Sequence, residues 1–315
     1  MTFRLMDQAS GYLGRLWSYL EEMYPLGQRV AGAALLAIAV ALIFGRIHGL
    51  GDGLGGGIGP ATAHAAWNAF FFMLVLRLMD ELKDQEVDRT LFRDRPLPSG
   101  RIHEADIVFT LWVAVALFLA PNLTAVPLAI AAVLLLGWAF LMFRWFFIRE
   151  IMRSNLPLTL VTHNPVIPLM LLNLVVVAAH GGQVPLSRVR WGPTALFVAM
   201  VWASSFAWEI ARKIRSAGEE NAYVTYSRLL GRGGAVALAA AAHTASLGIG
   251  LWLWRALGLH AVFAVILGVA WAGSIAFHAR FLLVRGPAGS TLRRTAEGHA
   301  LAVLLATVAG CWLES

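Results

Sequence analysis

The sequence predicts an all-α protein, a polytopic membrane helix bundle of about nine transmembrane helices, and three observations carry that expectation. The chain of 315 residues is 59% hydrophobic and only 14% charged, with a mean hydropathy of +0.69, whereas a soluble domain carries about 25% charged residues. Apolar runs of bilayer-spanning length, about 20 residues, recur along it. They fall at roughly 29–48, 62–83, 104–121, 124–145, 157–180, 194–214, 233–254, 260–281 and 296–313, the last being the shortest. The basic residues then alternate in side. With the N-terminus in the cytosol, twenty of the 25 Lys and Arg residues are cytosolic, Arg46, Arg188, Arg190 and Arg255 are external, and Arg77 lies within the second span. That asymmetry orients a multi-pass integral membrane protein in the lipid bilayer, with the loops after spans two, four, six and eight in the cytosol.

Other classes are excluded on the same grounds. The net charge of +7 is spread rather than patched, so no nucleic-acid partner is expected. The one cysteine, Cys311, permits no intramolecular disulfide. The N-terminus lacks the basic start and short apolar core of a secretory signal.

In chain order, residues 1–24 are expected to form an interfacial amphipathic helix and 25–315 a single nine-helix domain. Leu13, Leu16, Trp17, Leu20 and Met23 recur at spacings of three and four, an apolar stripe suited to the cytosolic membrane surface. The glycine-rich stretch 49–60 lacks the Lys-Ser/Thr of a phosphate-binding loop and reads as a linker. In the second span, Asn68 lies about 18 Å along the helix from Asp80. It suits interhelical bonding, with contact to a substrate headgroup as the alternative. Pro121-Asn122 divides a long uncharged run into the third and fourth spans. The fifth carries Thr162-His163-Asn164-Pro165. A proline there kinks the helix and frees backbone groups, so His163 and Asn164 either line a cavity or hold the kink. His243, His278 and His299, in the last three spans, are expected to be packing or interfacial. The stretch 285–297 is expected to be a basic, flexible loop.

The chain is organised around Arg77 to Ile102. No charge occurs from Gly53 to Leu76; then Asp80, Glu81, Asp84, Glu86, Asp88 and Asp94 follow, with Arg77, Lys83, Arg89, Arg93 and Arg95 among them. Asp80, Asp84 and Asp88 are spaced i, i+4, i+8 and are expected on one helical face. Aligned carboxylates repel, and a hard divalent cation reverses that, because Mg2+ takes carboxylate oxygens together with substrate phosphates. The bland alternative is a water-facing helix end laced by i,i+4 salt bridges.

Asp80-Glu81-Leu82-Lys83-Asp84-Gln85-Glu86-Val87-Asp88, followed by Arg95-Pro96-Leu97-Pro98-Ser99-Gly100, resembles the UbiA-type intramembrane prenyltransferase superfamily. That family carries Asn-Asp-x-x-Asp-x-x-x-Asp at the end of its second membrane helix, then Arg-Pro-Leu and a glycine. Asp80 replaces the family asparagine and Glu81 the first aspartate, and both keep oxygen ligands. The family has a second motif, Asp-x-x-x-Asp, at the end of its sixth helix; here Glu209 and Lys213 hold those positions. A lysine cannot ligate Mg2+ but can grip a phosphate oxygen as a point charge.

The resemblance implies a nine-helix transferase of alkyl groups other than methyl, moving an isoprenyl group from its diphosphate to a small aromatic or lipid acceptor, with Mg2+ as cofactor. It implies Asp80, Asp84, Asp88 and Glu209 as catalytic residues and, with Glu81, as metal ligands. The substrate-binding set is Arg77, Asn68, Lys83, Arg95, His163, Asn164, Trp208, Arg212 and Lys213, where Trp208 would steady an allylic cation by its ring face. The other readings are a cyclase of the same fold, acting on the isoprenyl diphosphate alone, and a non-catalytic transport or lipid-binding relative. The acceptor is not legible.

Overall fold

The computed structural model describes residues 11–50, 59–220, 225–284 and 289–313, the side chains of 217 and 289–291 excepted. Among these residues every regular element is helical. The helices are α1 Tyr12–Met23, α2 Leu26–His48, α3 Pro60–Lys83, α4 Gln85–Leu91, α5 Glu104–Leu119, α6 Val126–Phe143, α7 Arg149–Ser154, α8 Leu156–His163, α9 Val166–Gly181, α10 Trp191–Ala211, α11 Tyr226–Leu257, α12 Ala261–Leu283 and α13 Gly289–Trp312. Eight spans among the described residues are long and apolar enough to cross a membrane, counting α5 with the 3-10 turn after it and α8 with α9 as one each. The ninth long helix, α13, carries Arg293, Arg294 and Glu297 in its first half. Large apolar side chains such as Trp112, Val126, Leu134 and Val269 face outward, which suits hydrocarbon as the surrounding solvent.

The chain forms two compact units, one of Met1–Ala37 with Ala63–Arg149 and one of Ile38–Thr62 with Glu150–Ser315. In the first, α1 does not lie free with Leu16, Trp17 and Leu20 on one membrane-facing stripe. Leu16, Leu20 and Met23 pack with buried Tyr19 and Tyr24 against Leu74, Leu78, Ile107 and Leu111, while Leu13 and Trp17 point out. The reason is polar. Arg15 donates from Nε and Nη2 to the two Asp106 oxygens at 2.8 Å each, and Tyr12 Oη lies 2.9 Å from Thr110 Oγ1, so α1 is turned to satisfy α5. The part of the amphipathic helix expected before residue 11 lies outside the described residues, as does most of the glycine-rich stretch.

The division at Pro121-Asn122 takes the form of a 3-10 turn over Ala120–Thr124. The buried Asn122 and Asn68 amides exchange two hydrogen bonds of 3.0 Å, and His64 Nε2 lies 3.2 Å from Asn122 Oδ1.

In the second unit, Ile210, Ile214, Tyr226, Val236, Phe281, Leu292 and Ala296 form a core. Glycines let its helices approach closely: a Cβ on Gly250 would stand 2.5 Å from Leu267 Cδ1, and one on Gly310 2.5 Å from Phe263 Cβ. The fifth span bends at Asn164-Pro165, as expected, between α8 and α9. The seventh starts earlier than its apolar run. Thr225 Oγ1 caps it, accepting from the Arg228 N–H at 3.2 Å, and the charged stretch to Arg232 stays helical across a bend at Gly231, whose φ is +71°. The flexible loop expected over 285–297 is corrected from 289 onward, where α13 begins. Leu292, Ala296, His299 and Val303 bury one stripe there, and Arg293 Nε bonds Glu297 Oε1 at 2.9 Å, an i,i+4 pair. Residues 285–288 lie outside the described residues.

Candidate active site

The carboxylate cluster belongs to the first unit and sits where α3 gives way to α4. The three aspartates do not share one unbroken helix, contrary to the spacing argument. At Asp84 the backbone leaves helical geometry (φ −96°, ψ 6°), although Asp84 N–H still donates to the Asp80 carbonyl at 3.0 Å and Asp88 N–H to the Asp84 carbonyl at 2.9 Å. Aligned like charges disfavour a continuous face, and the break places Asp84 at the positive end of the next helix.

Each acid then meets a different environment. Asp88 is 3% exposed, and Arg95 Nη1 donates to both its oxygens at 2.7 Å, with the guanidinium 4.1 Å above the Phe92 ring. The Arg95–Gly100 segment closes as a tight loop: Ser99 N–H reaches the Arg95 carbonyl at 3.0 Å and Arg101 N–H the Pro96 carbonyl at 2.9 Å. Gly100 turns it at φ +76°, a left-handed value that glycine takes without strain. Arg101 ties the loop to Glu22 on α1. Glu81 is buried; Arg77 donates to its Oε2, and the Tyr19 hydroxyl stands 3.5 Å from the same atom. Its Oε1 has no hydrogen-bond partner. Burial, then repulsion from Asp80, pushes the Asp84 carboxyl up to about 6, the Asp88 charge adding to the rise.

Lys83 Nζ stands 4.1 Å from the Trp145 ring centre. Trp145, Phe146 and Phe147 all have left-handed φ, 52°, 49° and 61°, each at a cost of roughly 1–2 kcal/mol. Strain of this kind gathers at functional sites, and here it accompanies the contact with Lys83. A cleft lined by Glu81, Gln85, Asp88, Leu97 and Pro98 lies beside the acids and is closed to water-sized volumes.

In the second unit, α10 ends in a charge cluster. Arg212 donates from Nε and Nη2 to the two Glu209 oxygens, and Lys213 Nζ lies 3.2 Å from Glu209 Oε1. Glu209, Arg212 and Lys213 are thus brought together as their spacing implies, two cations on one carboxylate. Trp208 lies under the Arg212 guanidinium at 5.3 Å and donates from Nε1 to Glu297 at 3.2 Å, so its face is already turned to a cation. His163 Nδ1 lies 3.1 Å from Thr162 Oγ1, and Asn164 Oδ1 accepts from Trp202. Both polar side chains at the kink therefore have local partners. In the first unit, Asn68 spends its amide on Asn122.

Sequence reasoning missed Tyr19 on Glu81, Trp145 under Lys83, and Asn122 as the partner of Asn68. Only Asn122 carried a signal, as an amide in an apolar stretch. Among the described residues no group of three or more His, Cys, Asp or Glu side chains is placed so that it could hold a metal ion. Two features of the cluster nevertheless fit a divalent cation. The buried Glu81 Oε1 has no partner, and the charge on Asp84 is opposed by neighbours that a cation would offset.

The fold and this site define a class, the polytopic all-α membrane proteins with a carboxylate cluster at a helix end. No family model and no curated protein matches the sequence. Among the solved structures that match, two cover nearly the whole chain. The apo structure of a UbiA homolog from Aeropyrum pernix K1 superimposes with a TM-score of 0.66 at 19% identity, covering 90% of this chain and 97% of that one. A structure of digeranylgeranylglyceryl phosphate synthase gives 0.64 at 16% identity, covering 94% and 98%. The chain has the fold of the UbiA-type intramembrane prenyltransferases.

Proposed function

We propose that this protein transfers an isoprenyl group from its diphosphate to a small aromatic or lipid acceptor within the membrane. The observation that carries the reading is the carboxylate cluster Asp80, Glu81, Asp84 and Asp88 at the end of an apolar helix, with the Arg95–Gly100 loop against buried Asp88 and Glu81, and Asp80 left exposed. An isoprenyl diphosphate has a charged head and a hydrocarbon tail, and a membrane helix ending in acids and arginines offers surroundings for both. The solved neighbours, one named for a synthase of a prenylated glyceryl phosphate, support the same chemistry.

Asp80, Glu81, Asp84 and Asp88 are the residues that would hold Mg2+ here. When bound, Mg2+ offsets the charge of the diphosphate and improves it as a leaving group. Arg95 does two jobs in this reading. Without substrate it neutralises Asp88; with substrate it leaves Asp88 and takes a diphosphate oxygen, a bidentate exchange to which its planar fork is suited. Lys83, held over Trp145, supplies a second cation, and Arg77, bonded to Glu81 Oε2, orients that carboxyl. Tyr19 and the Arg101–Glu22 pair seat the loop against α1, which excludes water from the departing group.

At the end of α10, Arg212 and Lys213 both meet Glu209, and in this reading Lys213 also meets a phosphate oxygen as a point charge where the family pattern has an aspartate. Glu209 holds the two cations in place and, as one carboxylate already bonded to both, is better suited to that than to ligating metal.

Pyrophosphate release from purified protein, given prenyl diphosphates of several lengths with and without Mg2+, tests the reading. Asp84→Ala should abolish release while the protein stays folded in detergent. Full activity in that variant would overturn the metal assignment. Release without any acceptor, yielding a cyclised hydrocarbon, would make the chain a cyclase of this fold. No release under any condition would make it a non-catalytic relative.

A further inference from the structure

In the second unit a groove of about 460 Å³ runs between α12 and α13, with Val265, Val269, Gly273, Phe277 and Gly298 along it. Val265, Val269 and Phe277 are exposed, so the groove is open along one side. From Val265 to Phe277 it extends about 18 Å along α12, close to the ~15 Å of hydrocarbon in one leaflet. Its section therefore averages about 5 Å across, the width of a hydrocarbon chain and well below the ~10 Å of a helix. At about 30 Å³ for a group the size of a water molecule, it holds on the order of fifteen such groups. Ser274, on its wall, spends its hydroxyl proton on the Ala270 carbonyl at 2.9 Å, which leaves that wall suited to hydrocarbon.

Two glycines keep the groove open. Glycine inside a helix is destabilising relative to alanine, and close helix contact offsets that at Gly250 and Gly310. Gly273 and Gly298 make no such contact: a Cβ on either would meet nothing within 4 Å. The mouth of the groove differs from its length. Arg280 stands three residues beyond Phe277 on α12, and Arg294 four residues before Gly298 on α13, so both continue the groove-lining faces at the same end. Both are exposed. α12 carries no acid, and α13 carries one, Glu297. Glu297 accepts from Arg293 Nε at 2.9 Å and from Trp208 Nε1 at 3.2 Å. Arg280 and Arg294 therefore bring two charges to the mouth that no acid of their own helices offsets.

We propose that this groove binds one anionic phospholipid, its phosphate held between Arg280 and Arg294 and one of its chains laid between α12 and α13. Basic pockets between membrane helices suit anionic head groups, and a guanidinium fork takes phosphate oxygens in pairs. The two cations select this occupant over a neutral lipid, and the narrow section selects it over a helix of a second copy. The bound lipid ties the two helices together at the membrane surface. The site does not rest on the prenyl-transfer reading.

Native mass spectrometry of the full chain, delipidated in detergent and titrated with phosphatidylglycerol or phosphatidylcholine of matched chains, tests this. Wild type should hold one phosphatidylglycerol at least ten-fold more tightly than phosphatidylcholine. Each arginine beside an anionic head group is worth about a five-fold change, so Arg280→Gln with Arg294→Gln should weaken binding about twenty- to thirty-fold and erase the preference. Gly298→Leu on α13 and Gly273→Leu on α12 should each fill the groove and abolish the tight site, while the delipidated variants melt no earlier than delipidated wild type. Arg153→Gln with Arg228→Gln, which removes two other exposed cations of the second unit, should leave binding unchanged. Equal wild-type affinity for the two lipids, an equal loss in the Arg153 and Arg228 pair, or undiminished binding in the glycine variants would overturn the site. Displacement of the lipid by farnesyl diphosphate would give the groove to an isoprenyl substrate, and a dimer that Gly298→Leu splits would give it to a second copy; either result ends the proposal. Should the glycine variants fail to fold, the two arginine pairs decide.

Discussion

The sharpest prediction concerns Asp84, whose carboxyl is pushed up to about 6 from the usual carboxylate value of 3.8. The causes are burial first and then the charges of Asp80 and Asp88, partly relieved by Lys83 and Arg77. Two consequences have definite signs. In the metal-free protein the folded state holds the Asp84 proton more tightly than the unfolded chain does. Its contribution to stability is therefore complete at low pH and is lost as pH rises through about 6. A bound divalent cation acts in the opposite sense, because it needs the ionised form. A group titrating near 6 is about nine-tenths ionised at pH 7 and about nine-tenths protonated at pH 5, so cation affinity through Asp84 should fall about ten-fold between them. An ordinary aspartate would remain mostly ionised across that window. Mn2+ binding followed by electron paramagnetic resonance, in detergent at pH 5, 6 and 7, measures this for wild type and Asp84→Asn. The variant should bind weakly and without this pH dependence. Wild-type affinity that does not change with pH, or a variant with the same slope, would refute the argument that Asp84 supplies the cation's charge.

Asn122→Leu should cost about 2–4 kcal/mol, because it removes two hydrogen bonds from the buried Asn68 amide and one from His64; Asn68→Leu in the same chain should restore part of that, as thermal unfolding will show. Glu209→Ala leaves Arg212 and the buried Lys213 without their shared carboxylate, a loss of about 2–3 kcal/mol once the partial exposure of Arg212 is allowed for. Lys213→Ala should weaken prenyl diphosphate binding about ten- to a hundred-fold, the value of a charge-assisted hydrogen bond, and equal affinities in a titration would end that role. In a Cys311→Ser background, cysteines at Ser99 and Gly218 should label only from the cytosolic side. Gly218 serves because Ser216 in the same loop is buried and hydrogen-bonded to Glu219.

The membrane helices were legible, though not the early starts at Tyr226 and Gly289, because a membrane span is a local property. A run such as Val126–Phe143 must satisfy its backbone within itself and show apolar side chains to lipid, so length and hydropathy alone mark it. The Pro121-Asn122 turn and the Asn164-Pro165 bend were legible for the same reason, since both follow from covalent features of one or two residues. The carboxylate cluster was legible as composition, six acids in a short stretch after an uncharged one. What each acid touches was not. Asp88 pairs with Arg95 across a loop, Glu81 meets Tyr19 from a helix sixty-two residues away, and the break at Asp84 reflects repulsion that an ideal helical spacing ignores. How α1 is seated was not legible, because it depends on Arg15 meeting Asp106, ninety-one residues further on. The three histidines were read singly, each in its own span. Tertiary packing alone set the His243 ring beside those of His278 and His299, because interhelical neighbours are chosen by close contacts such as Gly250 on Leu267 and Gly310 on Phe263, to which hydropathy is blind.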